Sequence, residues 1–232
     1  FELAKLIDQA GFPKGVVSVV TGDSDNCAIP LTSHPGIDRI AFTGGTETAK
    51  KIIKNSSNNF AATNLELGGK SPLIIFDDAD IESAANGIIA GNFGASGQSC
   101  VAGSGVIAQK NISSKLKDII KQKSENIIVG NPLDPKTNLG PLCTSKQIEI
   151  IENTINKSVS QGAGIIFGGK KIEKEGNYFE PTLIYCPHRD IETLKIEMFG
   201  PVISLIEFDN EEDAIDLAND SEYGLGSGLF TK

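Results

Sequence analysis

Short apolar runs alternate with helix-period segments along nearly the whole chain, and no other feature constrains the fold as tightly. "GVVSVVTG" (15–22), "IDRIAF" (37–42) and "SPLIIFDD" (71–78) each read as a buried strand, and "GVIAQ" (105–109), "GIIFGG" (164–169), "PTLIY" (181–185) and "PVISLIEF" (201–208) as further strands. Between them, Ile81, Ala84, Ala85, Ile88 and Ile89 recur at helical spacing, as do Ile148, Ile151, Ile155 and Val159. Thr144 to Gln147 resembles a capping box, and Gly162 closes the helix that follows it. Leu3, Leu6 and Ile7 give an opening helix that ends at Gly11 and Pro13, and "NEEDAIDLAND" gives a short helix near the C-terminus. Strand–helix alternation of this kind implies an α/β fold with a largely parallel sheet.

Composition narrows the function classes. The 232 residues are 39% hydrophobic and 22% charged, enough apolar material for a sizeable core. Thirty acidic against 21 basic residues give a net charge of −9, which argues against nucleic acid and anionic membranes as partners. Cys27, Cys100, Cys143 and Cys186 are far apart and share no metal-ligand spacing with His34 or His188, so no metal is expected. That cysteine usage suits a reduced, cytoplasmic chain better than a disulfide framework. No apolar run reaches the ~18 residues of a membrane span. The chain starts without Met inside a helical pattern, which is the expectation for a piece of a longer protein.

Four places carry candidate chemistry. "FTGGTETAK" puts Gly44 and Gly45 between a strand and a helix, where free N–H groups favour an anion; the same pattern also reads as an ordinary turn. "NLELGGKSP" places Glu66 between two leucines, either a general base with a raised pKa or a strand residue facing solvent. Gly91–Val106 (GNFGASGQSCVAGSGV) sets Cys100 among five glycines, two alanines and three serines, with nothing charged. A packed thiol prefers bulkier company, whereas a nucleophile needs clearance for its substrate; the other three cysteines have Ile, Leu or Tyr nearby. "IEMFGPV" offers Glu197, suited to vicinal ribose hydroxyls, and Phe199, suited to walling a planar ring; each also reads as an ordinary solvated or core residue.

Taken together, "FTGGTETAK", "LELGGKSP", "FGASGQSCVAGS", "EMFGPV" and "YGLGSGLFT" resemble, in order and placement, the NAD(P)-dependent aldehyde dehydrogenase superfamily. Glu66 and Cys100 are 34 positions apart, and Cys100 and Glu197 are 97 apart, both similar to the family's intervals. The resemblance implies a three-layer α/β/α fold. Residues 1–68 would be the C-terminal part of a dinucleotide-binding domain and 69–232 a catalytic thiol domain, with N- and C-terminal parts of the family's fold lacking. It implies Cys100 as nucleophile and as an oxyanion N–H donor, with Glu66 as general base. Gly44 and Gly45 would meet the pyrophosphate, Glu197 the nicotinamide ribose, Phe199 the nicotinamide side, and the Leu67 backbone the carboxamide. The cofactor would be NAD or NADP, with NAD favoured, the substrate a small aldehyde, and the full-length parent a homodimer or homotetramer. Ala49 stands where many members have Gly, and Gly105 where arginine is common. Two other classes remain open: a truncated, non-catalytic paralogue acting as a binding or structural protein, and a cofactor-independent thiol esterase.

Overall fold

A computed structural model describes all residues, 1–232. The chain divides into two compact units, Phe1–Leu67 and Gly68–Lys232.

The first unit is built on two parallel strands. β1 (Arg39–Thr43) and β2 (Ala62–Glu66) pair in register from Arg39 opposite Ala62 to Thr43 opposite Glu66. Three helices accompany them: α1 (Glu2–Gln9), α2 (Ile29–Ser33) and α3 (Thr46–Ser56). A single π-type turn at Ser24–Ala28, capped by the Asp23 carboxylate, leads into α2. α3 buries Ala49 and Ile52, whereas Ile53 is exposed. Ala49 is only 2% exposed, so the alanine at this position fills a packed contact.

Two expectations fail here. β1 forms but is not buried, its residues alternating between exposed and half-buried. Gly15–Gly22 is not a strand, and its valines 16, 17, 19 and 20 are all exposed. A strand requires a hydrogen-bonded neighbour, and the only sheet of this unit is β1–β2. β-propensity alone does not supply that neighbour.

The second unit is a three-layer α/β/α sandwich. Its strands are β3 (Pro72–Ile75), β4 (Gly105–Gln109), β5 (Gly164–Phe167), β6 (Thr182–Cys186), β7 (Val202–Phe208) and β8 (Gly228–Phe230), in the order β5-β6-β7-β4-β3-β8. All neighbours are parallel except β5 with β6, which run antiparallel. Alternate residues feed opposite layers. Val106, Ala108, Leu183, Ile203 and Leu205 pack under α4 (Ile81–Phe93) and α5 (Lys110–Ser124). Ile107, Ile184, Cys186, Val202, Ile206 and Phe208 pack under α6 (Ser145–Ser160), α7 (Glu192–Lys195) and α8 (Glu211–Asn219). Fully burying one such aliphatic side chain is worth about 1.5–3 kcal/mol, which makes this doubly covered sheet the core.

Helix ends follow local chemistry. Thr144 Oγ1 accepts the Gln147 N–H at 3.3 Å, forming half of the expected capping box. Gln147 does not complete the box; its Nε2 instead donates to the Met198 carbonyl at 2.7 Å. Gly162 ends the α6 region at φ 102°, a conformation few L side chains adopt. No helix is long and apolar enough to cross a membrane.

Candidate active site

In the second unit, four chain segments meet at the amino ends of parallel strands. Gly68–Lys70 precedes β3, Gly94–Ser104 precedes β4, Glu197–Pro201 precedes β7, and Leu225 precedes β8. Open α/β sheets usually place ligands at the carboxyl ends of their strands. Here the convergence lies at the opposite edge.

The Cys100 loop is shaped by backbone strain. After α4, residues Ala95, Ser96 and Gly97 take left-handed conformations in succession, at φ 49°, 58° and 75°. For the two non-glycine residues this costs about 1 kcal/mol or more each, so side-chain ties must hold the turn. Ser96 Oγ donates to the Gly140 carbonyl at 3.0 Å, and Gln98 Oε1 accepts the Cys143 N–H at 2.9 Å. Asn92, buried in α4, closes the base of the loop by donating to the Gly103 carbonyl at 2.9 Å. A Cβ at Gly97 would collide with the Gly200 carbonyl and the Pro201 nitrogen. Cys100 sits half-buried at the end of this turn, with its carbonyl packed against Gly69.

The Glu197 carboxylate lies over the paired glycines. Its Oε1 accepts the Gly69 N–H at 3.1 Å, and its Oε2 occupies the space that a side chain at Gly68 would need. Gly69 has no room for a side chain either, being pressed by the Cys100 carbonyl and the Leu225 side chain. These glycines let one backbone turn touch the Glu197 carboxylate and the Cys100 loop at once. Burial pushes the Glu197 pKa up, against the opposing pull of the Gly69 N–H and Lys70. Phe199 follows at φ 43°, 40% exposed.

Lys70 is a site residue that sequence reasoning passed over. It is 5% exposed, and its Nζ has no hydrogen-bond partner. Burial pulls its pKa down to about 8, opposed by its neighbours Cys186 and Glu197. The signal was a lysine between a glycine pair and the apolar run "SPLII", a place where a charged chain has little access to water. Ser96, Gln98 and Asn92 were missed as well, because their partners lie 44, 45 and 11 positions away.

The other cysteines separate clearly. Cys186 is buried on β6, its Sγ 3.6 Å from Thr193 Oγ1, and burial pushes its thiol up to about 11. Cys27 is half-buried, whereas Cys143 is exposed despite its apolar sequence neighbours.

In the first unit, Gly44 donates its N–H to the Glu66 carbonyl at 3.0 Å. A Cβ at Gly44 would lie 2.5 Å from the Phe42 ring, so that glycine serves packing. Gly45 differs: it caps α3 in an extended conformation, with nothing within 4 Å of where a Cβ would stand. Backbone at Gly45 and the first turn of α3 is therefore open to an approaching anion. Glu66 is exposed at the end of β2, and Leu67 is half-buried at the close of the unit.

Comparison with known proteins fits this geometry. A model of the aldehyde dehydrogenase family matches residues 1–232. The chain is 48% identical over 231 residues to (Z)-2-((N-methylformamido)methylene)-5-hydroxybutyrolactone dehydrogenase of Acinetobacter baylyi, covering 99% of this chain and 47% of that protein. It is 37% identical over 233 residues to a betaine aldehyde dehydrogenase of Rhizobium leguminosarum, again covering 99% of this chain and 48% of that protein. The crystal structure of betaine aldehyde dehydrogenase from Staphylococcus aureus in complex with NAD+ superimposes with a TM-score of 0.95 at 37% identity, over 100% of this chain and 47% of that one. An NADP-dependent enzyme of E. coli matches with a TM-score of 0.96 at 34% identity, over 99% of this chain and 48% of that one. The chain thus spans about half the length of the relatives it matches. With its whole length matched by one family and its fold shared with that family's solved structures, this chain belongs to the aldehyde dehydrogenase family.

Proposed function

We propose that these residues carry the thiol and much of the cofactor cleft of an enzyme that oxidises an aldehyde to a carboxylic acid with NAD(P)+. The observation that carries this reading is the contact of Gly69 with both the Cys100 carbonyl and the Glu197 carboxylate. It supports reading Cys100 as the nucleophile and Glu197 as the ribose ligand, because one backbone turn touches both segments.

The chain's features suit a dinucleotide. Gly45 leaves the N-terminus of α3 free for a pyrophosphate, and Glu197 keeps acceptor capacity beyond its bond to Gly69 for a pair of hydroxyls. When bound, the nicotinamide supplies the hydride acceptor. The protein's own work begins at Cys100. Its sulfur, as thiolate, adds to the aldehyde carbon, and the resulting tetrahedral oxyanion is met by the Cys100 backbone N–H. Loss of hydride from that carbon leaves an acyl thioester on the sulfur. Glu66 takes a proton from water, the hydroxide oxygen attacks the acyl carbon, and the C–S bond breaks to free the carboxylic acid and the Cys100 thiolate. Residues 1–67 then serve as part of a dinucleotide-binding domain and 68–232 as the thiol domain.

Cys100→Ala and Glu66→Gln in a full-length chain carrying these residues test the assignment. Cys100→Ala should abolish aldehyde-dependent NAD+ reduction, and Glu66→Gln should slow deacylation so that an acyl-enzyme accumulates and is visible by intact mass. Full activity in Cys100→Ala would overturn the mechanism.

A further inference from the structure

The three residues Gly68, Gly69 and Lys70 form one continuous holder for a single carboxylate. Gly68 clears space for Glu197 Oε2, Gly69 donates its N–H to Oε1, and Lys70 follows directly with a buried, unpartnered ammonium in electrostatic reach of the same group. Burying an ammonium without a hydrogen-bond partner is costly, and a methionine would fill the same volume without that cost. Lys70 also lines a cavity of about 30 Å³ together with Gly105, Leu194 and Ile206. Arg189, Lys195 and Asp220 line the same cavity, so its wall carries charges of both signs.

We propose that Lys70 is a positioning residue for Glu197: its fixed positive charge and the Gly69 N–H together hold the carboxylate ionised and oriented for the hydroxyl pair of a bound dinucleotide. This rests on the reading of Glu197 as the ribose-binding carboxylate. Lys70 itself touches no substrate. Its charge acts through Glu197, which would otherwise turn toward solvent or take up a proton. The neighbouring Cys186 thiol also lies within reach of Lys70, but burial holds it protonated, so it does not compete as an anion.

The test uses a full-length chain carrying these residues and compares Lys70→Met, Glu197→Gln and the double variant. The readouts are the NAD+ Kd by calorimetry, the split of KM for NAD+ against kcat, and the rate of Cys100 alkylation by iodoacetamide. Lys70→Met should raise Kd and KM for NAD+ on the order of tenfold, the size expected for losing a charge-assisted contact, with kcat changed less than about threefold. Cys100 alkylation should stay within about twofold, and the double variant should be no weaker than Glu197→Gln alone. An unchanged NAD+ affinity in Lys70→Met, with Glu197→Gln impaired, overturns this inference and leaves the proposed function standing. Unchanged affinity in Glu197→Gln overturns the ribose assignment itself. Parallel loss of alkylation in Lys70→Met would mark Lys70 as structural and also overturn the inference. Should Lys70→Met fold poorly, Lys70→Ala with added ethylammonium supplies the charge untethered. Recovery of NAD+ affinity by ethylammonium but not by ethanol supports the role, and equal or no recovery overturns it.

Discussion

Lys70 shows how one residue trades stability against position. Its folded pKa of about 8 lies below the ordinary 10.5, so between those values the folded chain binds fewer protons at this site than the unfolded chain. Stability from this group therefore rises with pH from about 8 toward 10.5, and the burial cost is fully felt below 8. A shift of this size corresponds to roughly 3 kcal/mol. Lys70→Met should gain stability of that order at pH 7, and the gain should shrink as pH approaches 9.5. Urea denaturation of both proteins across that range checks it; a difference constant with pH would refute the linkage. Comparing the two proteins cancels the titration of groups that do not sense Lys70; Glu197 and Cys186 do sense it, and Arg189, Lys195 and Asp220 share its cavity. At this scale the sequence was only partly legible. Cys100 and Glu197 stood out through their motifs, whereas Lys70 was passed over. Its burial depends on segments far along the chain, and the glycine pair and apolar run around it are the only local signal.

Elements were more readable, because periodicity is a local property that folding preserves when both faces of a sheet are covered. Strands β3, β4, β6 and β7 follow their apolar runs, and α4 and α6 follow their spacing. The Gly15–Gly22 run fails since a strand is defined by its partner, which propensity does not reveal. The half-formed capping box at Thr144 teaches a similar lesson. Gln147 abandons the local bond for the Met198 carbonyl, tying the start of α6 to the turn that carries Glu197. Thr144→Ala should cost about 1 kcal/mol, the usual worth of an N-cap, with little effect on Cys100 alkylation. Gln147→Ala should lose less stability but slacken the Glu197 turn and weaken NAD+ binding. Denaturation midpoints and cofactor titrations distinguish the two, and matching effects on both readouts would refute this division of labour.

Across the whole molecule, the two units differ in how they bury their backbone. In the second unit β4, β6 and β7 lie between helices on both faces, while in the first α1 buries no residue and the Gly15–Gly22 run joins no sheet. Hydrogen exchange should therefore be slowest at amides of β4, β6 and β7 and near the unprotected rate across residues 16–20. Strong protection at residues 16–20 would contradict the structure. The division at Leu67–Gly68 falls inside the "LELGGK" motif, so a motif that reads as one unit of sequence is shared by two units of structure. The site segments of the second unit all enter from the amino ends of their strands, and the opposite rim of the sheet carries none of them. The turn joining β7 to α8 at Asp209–Asn210 lies on that rim. A reporter peptide or affinity handle grafted there would ride on the rigid sheet and leave the thiol undisturbed, making that rim the natural point of attachment for watching this chain at work.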